Sequence, residues 1–113
     1  MARLIYVCAA YRGDISKNRE LAKKYSKTVY ECGHLPLTVH LFLDEVFGMN
    51  DAQHREEIMK ICCQYVLLCD ELWIFRGVDG KESEGMKHEI EYAKSIGKKV
   101  KYVGEDLLGW IKE

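Results

Sequence analysis

Short apolar runs alternate with amphipathic helical stretches along nearly the whole chain, and this alternation constrains the fold more than any other feature of the sequence. Arg3 to Ala9 is apolar and β-branched with no helical period, which predicts a buried parallel strand. From Ser16 to about Cys32 the apolar positions Leu21, Tyr25, Val29 and Cys32 recur at helical spacing, and Gly33 sits where a helix commonly ends. Leu35 to Leu41 reads as a second strand, with Pro36 tolerable only near its start. A loop carrying Asp44, Gly48 and Asn50 then leads to a second helix from about Asp51. Leu72 to Phe75 is a third strand, Glu84 to Ile96 a third helix closed by Gly97, and Lys99 to Val103 a fourth strand. A short amphipathic helix with Leu107, Leu108 and Ile111 follows. Strands separated by helices require right-handed crossovers, so the expectation is a single α/β domain over residues 1–113. Its architecture would be three-layered and doubly wound, a mainly parallel sheet of four to five strands of Rossmann or flavodoxin type.

Composition removes several function classes. At 113 residues, 48% of them hydrophobic, folding buries roughly 65% of the unfolded surface, so neither a disulfide framework nor a structural metal is required. No apolar run approaches the roughly 20 residues of a membrane span, and no signal-peptide pattern opens the chain. A net charge of −1 supplies no field for a nucleic-acid duplex but leaves a small nucleotide as a partner. The five cysteines, Cys8, Cys32, Cys62, Cys63 and Cys69, lack the spacing of zinc or redox motifs. They read as reduced core residues of a cytoplasmic protein. Cys8 is not a phosphatase nucleophile, because that loop needs an arginine six residues on and position 14 is Asp14. No metal and no cofactor is expected.

Sheets of this type bind ligands beyond the carboxyl ends of their strands, where strand order reverses. That rule selects three stretches. After the first strand come Tyr11, Arg12 and Gly13, where Arg12 either clamps a phosphate or is a plain loop cation. Asp70 enters the third strand, as a site acid or a simple turn residue. Ser83 and Gly85 open the third helix, as an anion site or an ordinary cap. Within that helix Met86, Ile90 and Ala93 form the core stripe and Glu89 lies beside it. Glu89 is there a nucleophile or base, or the partner of a surface lysine. Tyr6 lies inside a strand that should be apolar, so its hydroxyl needs a partner if buried. His40, at the end of the second strand, is a candidate substrate contact or a packed side chain. Ten of the twelve residues from Ile58 to Cys69 are apolar. A helix apolar all round needs cover on more than one side, which predicts a homodimer or higher homo-oligomer.

The order Tyr6-Val7-Cys8, Tyr11-Arg12-Gly13, Asp70 before an apolar strand, and Ser83-x-Gly85-x-x-x-Glu89 resembles the nucleoside 2-deoxyribosyltransferase-like superfamily. That superfamily includes the 2'-deoxynucleoside 5'-monophosphate N-glycosidases. The segments "YRGD", "CDELWIF" and "SEGMKHEIEYAKSIGKKV" are also similar to small bacterial and phage domains of unknown function placed in it. The likeness runs from about Leu4 to Val103. It implies that Glu89 attacks the anomeric carbon, that Tyr6 orients its carboxylate, and that Asp70 assists departure of the base. It also implies that Ser83, Gly85 and Arg12 hold a 5'-phosphate, with sites completed across a homo-oligomer interface. The expected activity is thus cleavage of the N-glycosidic bond of a 2'-deoxynucleoside 5'-monophosphate. The alternative is a non-catalytic nucleotide-binding or sensing module.

Overall fold

The computed structural model describes residues 2–10, 15–49, 51–76 and 81–104. Its elements, in chain order, are β1 (Leu4–Ala9), α1 (Ile15–Glu31), β2 (Leu35–Leu37), α2 (Val39–Phe47), α3 (Asp51–Leu68), β3 (Glu71–Phe75), α4 (Glu84–Ser95) and β4 (Lys99–Tyr102). The strands form one sheet in the order β2-β1-β3-β4, and all three pairings are parallel. The expected α/β, doubly wound architecture of Rossmann or flavodoxin type is therefore the observed one, with four strands. The helix expected around Leu107, Leu108 and Ile111 lies outside the described residues.

The pleat of β1 and β3 builds the two cores. Side chains alternate across a sheet, so Ile5, Val7, Trp73 and Phe75 pack with Tyr25 and Val29 of α1 on one face. The Tyr25 and Phe75 rings stack with centroids 4.5 Å apart. Tyr6, Cys8, Leu72 and Ile74 face the other way, onto Val39 and Leu43 of α2, Ile58, Cys62 and Val66 of α3, and Met86, Ile90 and Ala93 of α4. Helices on both faces satisfy a parallel sheet whose strands are apolar on both sides. The chain steps from β1 to β2 on one flank and then crosses to β3 and β4 on the other. Strand order thus reverses between β1 and β3.

The second strand is shorter than its sequence suggests. Only Leu35–Leu37 pairs with β1, and the chain turns helical at Val39. The run Thr38 to Leu41 looks β-prone, yet Val39 and Leu43, one helical turn apart, are the buried residues, so tertiary packing overrides local preference. Pro36 is accommodated because β2 is an edge strand. His40 consequently belongs to the first turn of α2 and not to a strand end, and Asp44 belongs to the same helix and not to a loop. There Asp44 accepts from Arg19 Nη2 at 2.6 Å, tying α1 to α2. Gly33 does end α1 as expected. Its φ of +88° is left-handed, and His34 N–H returns to Val29 O at 3.2 Å across it. None of the described helices is long and apolar enough to cross a membrane.

Candidate functional site

One side chain from each of β1, α2, α3 and α4 meets at a single point on the α2–α4 face of the sheet. The centre is Glu89, 1% exposed. The helical stripe of α4 carries it inward with Met86, Ile90 and Ala93, which excludes the surface-lysine alternative. Tyr6, fully buried, donates its hydroxyl to Glu89 Oε2 at 2.8 Å. His40 Nε2 lies 2.9 Å from the same oxygen, within hydrogen-bond distance. Cys62 Sγ stands 3.6 Å from His40 Nε2. Glu89 Oε1 is buried and has no hydrogen-bond partner among the described residues.

Removing a carboxylate from water costs several kcal/mol unless charge or hydrogen bonds compensate. Among the described residues Oε2 has two hydrogen-bond partners and Oε1 none, an asymmetry that marks Oε1 as the atom with unused acceptor capacity. The neighbours respond to the same field. Burial, reinforced by the Glu89 charge, pushes the Tyr6 hydroxyl well above its ordinary pKa and holds it as a donor. Burial and Glu89 likewise raise the Cys8 thiol. For His40 burial opposes the charged ring, but hydrogen bonds to Cys62 and Glu89 more than offset it, so its pKa rises well above the usual imidazole value. Burial also raises the Cys62 thiol, against the opposing pull of His40. The His40 side chain is 16% exposed, the most exposed of the four.

The structure brings together three of the residues read from sequence, Tyr6, His40 and Glu89. It does not bring Asp70 to them. Asp70 is exposed, its carboxylate accepts from Leu4 N–H at 2.7 Å, and its own N–H donates to Leu4 O at 2.8 Å. Parallel register sets this placement, because Ile5 pairs with Glu71 and so aligns the two preceding residues at the amino ends of β1 and β3. Ser83 is the N-cap of α4, its hydroxyl accepting from Met86 N–H at 3.2 Å. Gly85 is at a normal negative φ, and a Cβ there would meet only Ser83 Oγ, at 3.9 Å. Tyr11, Arg12 and Gly13 lie outside the described residues. Cys62 is the member that sequence reasoning placed only in the core. The signal available was its place on the Ile58, Cys62, Val66 stripe of α3, which shows a buried face but not the histidine opposite it.

Fold and site together define a Rossmann-like, doubly wound α/β domain with a buried, partly compensated carboxylate beneath the reversal of strand order. The chain belongs to the family described as a domain of unknown function (DUF7768), whose model matches residues 3–103. Comparison with curated proteins finds no match.

Proposed function

We propose that the protein cleaves the N-glycosidic bond of a 2'-deoxynucleoside 5'-monophosphate, as a hydrolase or by transfer to a second base, with Glu89 as nucleophile. The observation that carries this reading is the Glu89 carboxylate, held at Oε2 by Tyr6 and His40 and without a hydrogen-bond partner at Oε1 among the described residues. In the first step Oε1 bonds to the anomeric carbon while the bond from that carbon to the base breaks. The electron pair leaves with the base, which takes its proton from His40. In the second step water, or an acceptor base, displaces Glu89 from the anomeric carbon and its proton returns to His40. His40 thus stands in the role that the resemblance assigns to Asp70. The start of α4 at Ser83 and Gly85 presents first-turn amides to the 5'-phosphate, with Arg12 as the proposed cation.

Incubation with a panel of deoxynucleoside monophosphates should release free base from at least one of them, read by chromatography. Saturable nucleotide binding without release, alone or with an acceptor base, would replace this reading by the sensing module. We place the protein in the reducing cytoplasm, in keeping with cysteines that are all free.

The same reading includes a homo-oligomer. Leu67 and Leu68 at the end of α3 are 53% and 68% exposed, and a second copy would cover them. Light scattering should then give at least twice the 13.1 kDa chain mass, and a monomer at micromolar concentration would refute it.

A further inference from the structure

The cluster around Glu89 has a second chemistry that does not depend on a sugar. Among the described residues, His40, Cys62 and Glu89 are the one set of three whose donor atoms all lie within 4.8 Å of one another. They offer an imidazole nitrogen, a thiol sulfur and a carboxylate oxygen, one from each of three helices packed on the same face of the sheet. With zinc bonds of about 2.0 Å to nitrogen or oxygen and about 2.3 Å to sulfur, tetrahedral geometry separates nitrogen from sulfur by roughly 3.5 Å and nitrogen from oxygen by roughly 3.3 Å. The observed separations are 3.6 Å and 2.9 Å, so the first already fits and the His40–Glu89 contact has to open by a few tenths of an ångström, while Cys62 and Glu89 lie within 4.8 Å of each other.

We propose that His40, Cys62 and Glu89 form a binding site for a soft divalent cation of the zinc class. Two observations besides the spacing point to it. The Glu89 carboxylate, which ligates through Oε2 in this geometry, is buried and has no hydrogen-bond partner at Oε1 among the described residues, and a cation on Oε2 offsets the charge that is left short of partners. A bound divalent ion with the Cys62 thiolate and the Glu89 carboxylate also makes a neutral unit, which removes the cost of a buried lone charge. Thiolate and imidazole donors select zinc, cobalt or cadmium over magnesium and calcium. Tyr6, donating to the same Glu89 Oε2, fixes the orientation of the carboxylate. The partly exposed His40 gives the ion its path, and water completes the fourth position. On binding, the Cys62 sulfur forms the metal bond and its proton leaves to solvent. The site stands on this donor geometry and not on the glycosidase reading. Where both hold, the ion occupies the Glu89 carboxylate and blocks base release.

Cobalt(II) titration of the full chain tests the site without any substrate. One equivalent should bind, with the charge-transfer band of a cobalt–thiolate bond and the intense visible bands of a four-coordinate ion, and zinc should displace it. Cys62→Ser should abolish the charge-transfer band, and His40→Gln, a change at a partly exposed position that leaves the core intact, should weaken binding at least tenfold. Cys63→Ser should retain both the band and the affinity. Absence of stoichiometric binding, or a band that follows Cys63 in place of Cys62, would overturn the proposal. Protein that releases base yet takes up no cobalt defeats the metal site alone, and protein that binds cobalt yet cleaves no nucleotide defeats the glycosidase alone.

Discussion

Glu89→Gln is expected to lower base release by about ten-thousand-fold, the scale on which enzymes lose activity when a covalent nucleophile is removed. The substitution keeps the shape of the side chain and its hydrogen bonds to Tyr6 and His40 while removing the charge that attacks. Its stability should fall as well. Glu89 is 1% exposed and pairs with His40, whose pKa it helps to raise, and removing one partner of a buried pair leaves the other uncompensated. The variant should therefore unfold at a lower temperature, with the gap narrowing as the pH rises and His40 loses its proton. Base release measured well below that temperature, on protein shown to be folded, separates the loss of the nucleophile from the loss of stability. Unchanged base release would end the nucleophile reading.

What could be read from the chain, and what could not, follows from how far each signal reaches. β1 and β3 were legible because a parallel strand buried on both faces is apolar throughout, and their residues Leu4–Ala9 and Glu71–Phe75 are nearly so. The inward face of α4 was legible because Met86, Ile90 and Ala93 share one helical stripe, which put Glu89 at its margin. The partners of Glu89 were not legible in the same way. His40 reaches it only because α2 begins two residues after β2 ends, and the β-prone run from Thr38 to Leu41 conceals that start. Cys62 reaches it only because α3 lies across α2 and α4, a packing relation that no local period encodes. Asp70 shows the converse. Its polarity before an apolar strand was plain, but its direction depends on register against β1, and register turns it to the Leu4 amide.

Tyr6→Phe should then divide its effect between stability and turnover in a way that a packing role would not produce. The ring stays in place, so the core is unchanged and only the hydroxyl is lost. Glu89 Oε2 keeps His40 as its remaining donor, and a buried hydrogen bond to a charged acceptor contributes about 2 kcal/mol. The single variant should be destabilised by about that amount in chemical denaturation. In the Glu89→Gln background the lost bond is between neutral groups, and the same substitution should cost only about 1 kcal/mol, leaving a coupling of about 1 kcal/mol between the two positions. Catalysis adds an independent reading. If Tyr6 positions the attacking carboxylate, its loss lowers kcat by about tenfold to thirtyfold, as about 2 kcal/mol at the barrier would, with KM little altered because the buried hydroxyl is spent on Glu89. Equal destabilisation in both backgrounds, with KM rising and kcat preserved, would show instead that Tyr6 supports the packing around the site and does not aim the carboxylate.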